Sequence, residues 1–410
     1  MYRTRAFLVI VLTLAVLATG CLPLARVPSI SPTPEISSPS PSVIPSLLTP
    51  SPSPTASPAS GIQVTTLTTL PADPRYFSVG GPDNTRILLF DSSATRPPIE
   101  VVRFDPAPVP GGPDVRAIGF GASADGRVLV IAQRFSEQRT VHYLVRPQTG
   151  EVLVLLTDLA PSFSVPVVSP DGARYAYARL GDAASTGVFV AGARAGPDPK
   201  RIVASDPQIV GSPPQPVAWS SDGAWLAVTT SNDSGSRIGV VQVQAGETTL
   251  DVGRSEFSRG NARMLGPGHS IDWRGGDQNL LVTSSRNAFG GRSFVYATSL
   301  TGAQPRELYA PTGDAILSGS LWHPALDRFV VHQRPLAGGP DVPSTVWVRK
   351  TDGTGTKVLD DPFIGVPWWS KDGTRLWAPS GGDDSVAYLR DLLSTTAIMF
   401  CLRSASPPCV

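Results

Sequence analysis

The stretch PVVSPDGARYAYARL, residues 166–180, sets a Ser-Pro-Asp-Gly turn between a short apolar run and a longer strand-like run. Glycine takes positive φ at no steric cost and aspartate bonds its own backbone, so the stretch predicts two antiparallel strands joined by a tight turn. One hairpin fixes no fold; a recurring one does. The pattern returns as YFSVGGPDNTRILLF at Asp83, IGFGASADGRVLVIAQR at Asp125, VAWSSDGAWLAVTTS at Asp222, IDWRGGDQNLLVTSSR at Asp277, LWHPALDRFVVHQR at Asp327 and PWWSKDGTRLWAPSG at Asp372. With Asp171 included, successive intervals are 42, 46, 51, 55, 50 and 45 residues. A period in this range belongs to β-propellers and not to solenoids of paired helices.

Each period holds what one blade needs. Runs such as RVLVIA, WLAVTT, NLLVTS and RFVVH are almost continuously apolar, as expected of strands covered on both faces. A third strand follows, for example GVFVAGAR, RIGVVQVQAG, SFVYATSLTG or TVWVRKTDGTG, and then a shorter fourth, RIVAS, TTLDV or KVLDD. Trp219, Trp273, Trp322 and Trp369 occupy one motif position in four copies, which predicts packing between blades and not an aromatic cage. Residues 62–410 number 349, about 50 for each of seven blades, with six or eight as the alternatives. The predicted fold is therefore all-β, a seven-bladed propeller.

The series SPDG, SSDG and SKDG, preceded by Trp or Val and followed by a hydrophobic strand, resembles the TolB-type WD-like propeller repeat over residues 62–410. That resemblance implies an extracytoplasmic propeller that binds proteins or small ligands, or that accompanies a separate peptidase domain. The first three copies lack the Trp, and HPALD departs from the turn pattern.

The N-terminus predicts an address. MYRTRAFLVIVLTLAVLATGC carries Arg3 and Arg5, an apolar run from Ala6 to Ala18, then small residues ending at Cys21. This is the order of an export signal, and the run is too short to span a bilayer comfortably. LATGC resembles the bacterial lipobox, which implies a signal peptide over residues 1–20 and lipidation of Cys21; an ordinary cleaved signal or a retained anchor helix are the rival readings. Residues 22–60 hold 11 Pro and 11 Ser among 39, too little apolar surface to fold, so residues 21–61 are expected to form a disordered tether.

Composition narrows function by exclusion. With 34 basic against 33 acidic residues the formal charge is +1, which supplies no field to gather nucleic acid. No G-x-S-x-G elbow and no H-E-x-x-H occur, and the four His (142, 269, 323, 332) are isolated, so neither a catalytic motif, a metal site nor a cofactor is predicted. Cys401 and Cys409 remain once Cys21 is assigned, an even pair that an exported compartment allows to bridge; two free thiols or an intermolecular bond are the alternatives.

The candidate binding residues lie seven to nine positions beyond the turns. Arg134, Arg179, Arg286 and Arg334 fall there, with Asp182, Asp233, Asp383 and Asp384 in neighbouring loops. Converging arginines would hold an anion through forked hydrogen bonds; the alternative is that each braces its blade. The expectation is a monomeric, lipid-anchored binding or scaffolding module at the cell envelope, with an envelope protein or small ligand as partner. The rivals are a propeller enzyme (lyase, lactonase or glycan hydrolase) and a sensor of small anions.

Overall fold

The computed structural model of the chain describes residues within 61–401, outside the connecting segments 80–84, 95, 105–114, 136–137, 160–163, 182–184, 206–211, 233–234, 252–255, 259–260, 275, 286–291, 302–303, 337–341, 362–364, 382–385 and 395. Cys21, the tether, Asp83, Arg286, Asp182, Asp233, Asp383, Asp384 and Cys409 lie outside the described residues, as does the side chain of Cys401.

Seven sheets, antiparallel apart from one pair of strands in blade 3, follow one another along the chain and form a seven-bladed β-propeller. Blade 1 spans residues 62–104, blade 2 115–159, blade 3 167–205, blade 4 212–267, blade 5 270–309, blade 6 315–361 and blade 7 368–401. Seven hydrophobic clusters lie between them, one at each junction. This arrangement explains the continuous apolar runs. In Leu280–Ser284, Leu280 and Val282 pack toward blade 4 while Leu281 packs toward blade 6, so both faces of the strand are covered. The four recurring tryptophans fill four of these junctions, at 6 % exposure or less.

The turn motif is a closed hydrogen-bond unit. In blade 3 the Ser169 hydroxyl donates to Asp171 Oδ1 at 2.5 Å, the same oxygen accepts the Ala173 N–H at 3.0 Å, and Ser169 Oγ accepts the Arg174 N–H at 3.0 Å. Ser220 with Asp222 and Ser370 with Asp372 repeat it, and Ser123 with Asp125 does the same in blade 2. The serine hydroxyl first, then the backbone N–H, holds Asp171, Asp222 and Asp372 below the usual carboxylate range. These carboxylates are spent on shaping turns. The turns share one face of the ring, called here the turn face.

Two blades depart from the sequence reading. In blade 1 the backbone N–H of Lys371, in the blade 7 turn, donates to Asp73 Oδ2 at 2.6 Å, and Tyr76 OH donates to the Gly126 carbonyl in the blade 2 turn at 2.6 Å. The chain around Asp73 therefore lies on the turn face. The strand Pro74–Val79 leads away from it and pairs with Arg86–Asp91. The stretch YFSVGGPDNTRILLF thus holds two paired antiparallel strands, as expected, and its Asp83 lies outside the described residues. The outermost strand of this blade, Ile62–Val64, is supplied by the segment preceding Asp73 and pairs with Ile99–Phe104.

In blade 4 the fourth strand is Ala262–Pro267, paired with Gly235–Gln242. TTLDV was expected in that place. Instead Thr248–Asp251 adds in parallel to the outer strand of blade 3, Lys200–Ser205, and Glu256–Ser258 pairs beyond it. Blade 3 is thereby a six-stranded sheet, and Leu250 and Phe257 pack into the junction of blades 3 and 4. The inserted hairpin covers an edge that would otherwise expose unpaired backbone.

Candidate functional site

Polar groups gather in three places: the mouth of the ring on the turn face, the rim on the opposite face, and a recess beside blade 3.

At the mouth, Asp272 of blade 5 is 7 % exposed and accepts the Arg274 N–H at 3.1 Å and the Trp322 N–H of blade 6 at 2.7 Å. Arg274 in turn donates to the Trp322 carbonyl at 2.9 Å. Burial raises the Asp272 carboxyl, with Arg274 and the two N–H groups opposing it. Asp73 plays the same part between blades 1 and 7, accepting the Ser92 hydroxyl and the Lys371 N–H. Arg75 lies 3.7 Å from Asp73; burial lowers its guanidinium below the usual value, while the charges of Asp73 and Asp272 favour it and that of Arg274 opposes it. Two acids and one of two guanidiniums at the mouth are thus occupied in joining blade to blade.

On the opposite rim the structure places three of the four predicted arginines. Arg179 of blade 3 pairs with Asp158 of blade 2 at 3.0 Å. Arg134 stands in one cross-strand row with Thr140 and the same Asp158, on the blade 2 face turned to blade 3. Arg334 is exposed at the end of a blade 6 strand. Arg134 and Arg179 therefore share one junction, and Arg334 belongs to another part of the ring. Burial raises the Asp158 carboxyl and Arg179 pulls it down. Deeper in that junction His142 packs edge-on to Tyr177 at 4.9 Å and beside Tyr175 at 5.7 Å. Among the described residues His142 Nδ1, Thr140 Oγ1 and Tyr175 OH have no hydrogen-bond partner. Burial lowers His142 to about 4. His332, in blade 6, is lowered to about 4 as well, by burial first and by Arg334 second.

The recess lies on the turn side of blade 3 and has a volume of about 850 Å³. Its walls are the 193–200 turn of blade 3 and the 243–247 segment that leads into the inserted hairpin. Val190, Ala191, Ile202 and Val243 supply apolar surface, and Arg174, Arg194, Lys200 and Arg201 supply positive charge against Asp198 and Glu247. Arg201 forks onto Glu247, Nε to Oε2 at 2.8 Å and Nη2 to Oε1 at 3.2 Å. Arg174 donates to the Gly223 carbonyl at 2.8 Å and lies 5.0 Å from the Trp219 ring. A second recess, about 640 Å³ and lined by Thr68, Pro71, Asp125, Arg127 and Lys371, sits where blades 1, 2 and 7 meet. Neither recess was legible as a site: the larger one exists because a segment read as a blade 4 strand crosses to blade 3. The one trace of it is the interval from Asp222 to Asp277, at 55 residues the longest in the series.

The architecture is shared with solved propellers. A prolyl endopeptidase matches 83 % of this chain at 13 % identity and a TM-score of 0.54, over 50 % of its own length. Prolyl oligopeptidase B from Galerina marginata matches 81 % of this chain at 12 % identity and a TM-score of 0.51, again over 50 % of its own length. The chain thus spans about half the length of the peptidases it matches. A TolB-assigned protein from Agrobacterium tumefaciens is also among its structural neighbours, at 17 % identity over 64 % of this chain and 88 % of that one, with a TM-score of 0.40. These likenesses are of fold. No family model and no curated protein matches the sequence.

Proposed function

We propose that the protein is a binding module of the bacterial cell envelope, held to the membrane through lipid on Cys21 and presenting a rigid, monomeric propeller for a protein or small-ligand partner. One observation carries the binding reading. The buried acids at the ring mouth, Asp73 and Asp272, are engaged by N–H groups of neighbouring blades, so the polar chemistry there serves closure. What the fold presents outward is loops and the recesses between them, on a ring without exposed sheet edges at its junctions. The lipobox resemblance and the export-signal order of residues 1–21 support the address.

Three measurements test this. Metabolic labelling with palmitate should mark the wild-type chain and not Cys21→Ser, and the variant should leave the membrane fraction; a labelled variant, or an unlabelled wild type, overturns the anchor. Cross-linking of the full chain in intact envelope, followed by purification, should yield one stoichiometric partner or a retained small molecule. Turnover of a glycan, lactone or peptide panel by the purified chain would replace the binding reading with a catalytic one.

A further inference from the structure

We propose that the recess beside blade 3 is a binding site for an organic carboxylate with an apolar body. The inference rests on the reading of the propeller as a binding module and names the ligand class for one of its surfaces.

Size, lining and charge agree. A volume of about 850 Å³ suits a small organic ligand. Val190, Ala191, Ile202 and Val243 give it apolar walls, which favour a ligand whose body is removed from water. Its ionic lining comprises four cations, Arg174, Arg194, Lys200 and Arg201, and two carboxylates, Asp198 and Glu247, an excess of two positive charges (4 − 2). Arg201 is held by its fork to Glu247, and Arg174 is held between the Gly223 carbonyl and the Trp219 ring. Arg194 and Lys200 are exposed and form no ion pair among the described residues. The fixed pair shapes the wall; the other two cations are available to an anion.

The recess is also a built feature. Seven blades offer seven chances for such a hollow, and among the described residues the inserted hairpin pairs its strands with blade 3 alone, through the parallel pairs Val203 with Thr248, Ala204 with Thr249 and Ser205 with Leu250. That pairing anchors the 243–247 segment opposite the 193–200 turn and brings Glu247 onto Arg201. A bare blade edge would leave the hollow open on that side.

The test is calorimetric titration of the full chain with dodecanoate, dodecyltrimethylammonium and acetate. Dodecanoate should bind saturably with a Kd below about 1 mM. Dodecyltrimethylammonium, with the same body and the opposite charge, and acetate, with the charge and no body, should not bind in that range. The double variant R194Q/K200Q should lose about tenfold in dodecanoate affinity with an unchanged circular dichroism spectrum. Should that variant fail to fold, V243W, which fills the recess, should abolish binding instead. Equal binding of the cationic amphiphile, unchanged dodecanoate affinity in the folded variants, or no saturable binding by the wild type overturns the site. An intact envelope partner alongside such a failure removes this site alone; absence of any partner or ligand removes the binding-module reading with it.

Discussion

The indole Nε1 of Trp377 donates to the Ser92 carbonyl at 2.9 Å, joining positions 285 residues apart. Phe90 meets the same ring edge-on at 4.9 Å, and Asp73 accepts the Lys371 N–H beside them. Blade 7 builds all four of its strands from residues 368–401, so among the described residues no strand is exchanged between the first and last blades. Among the described residues the ring is closed by side-chain packing and by side-chain bonds to backbone, with no strand pairing.

Trp377 is fully buried, so its truncation leaves both a cavity and an orphaned carbonyl at the closure. Trp377→Ala is expected to cost about 3–5 kcal/mol in urea unfolding, while Trp377→Phe, which keeps most of the packing and drops the hydrogen bond, should cost about 1–2 kcal/mol. Equal losses for the two variants would mean that the bond, and not the packing, closes the ring.

Two glycines separate backbone strain from collision. Gly172 and Gly196 both have positive φ, 70° and 61°, but a Cβ on Gly172 would lie 2.9 Å from Val128 Cγ2 whereas one on Gly196 meets nothing within 4 Å. Gly196→Ala should cost about 1 kcal/mol from strain alone. Gly172→Ala adds the collision and should cost about 2–3 kcal/mol. Chemical denaturation of the two variants checks the difference.

Acid should weaken the fold through its histidines. His142 and His332 are buried neutral with values near 4, against 6.5 for an unfolded imidazole. Between those limits the unfolded chain binds protons that the folded chain refuses, so stability is full above about pH 6.5 and falls as pH drops toward 4. Each histidine contributes a slope of about 1.4 kcal/mol per pH unit at most. The raised carboxyls of Asp158 and Asp272 act in the opposite sense. Melting temperature against pH for wild type and His142→Gln checks it: the variant should show the shallower fall.

Arg179 supports a buried acid. Replacing it by Gln leaves Asp158 without its ion-pair partner, and because Arg179 is itself partly exposed the expected loss is modest, about 1 kcal/mol at pH 7. Without the guanidinium the Asp158 carboxyl rises further, so the deficit should shrink as pH falls and the acid takes up its proton. Adding Asp158→Asn should recover most of the loss at pH 7. A deficit that is independent of pH would assign Arg179 to packing only.

The ring was legible in the sequence because its cause is local and repeated. Asp171-Gly172 and its copies fix hairpins through short-range hydrogen bonds, and two-sided burial writes itself into runs such as Leu280–Ser284. The outer strand of blade 1 escaped because Ile62–Val64 precedes the first repeat and only its pairing with Ile99–Phe104 assigns it there. The hairpin Thr248–Ser258 escaped for another reason: its propensity is that of any strand, and only tertiary contacts with Val203 and Ala204 decide which blade it joins. The recess inherits that difficulty, since Arg194 and Lys200 acquire meaning only once residues 243–247 are placed against them.

Apart from the inserted hairpin, every sheet of the ring is one uninterrupted span of chain. Duplication or deletion of a single such span would therefore change the number of sheets without requiring the two ends to be refitted to a common strand, and the joint at Trp377 and Ser92 would survive the change. Growth by whole units is open to this architecture in a way that it is not to rings sealed by an exchanged strand.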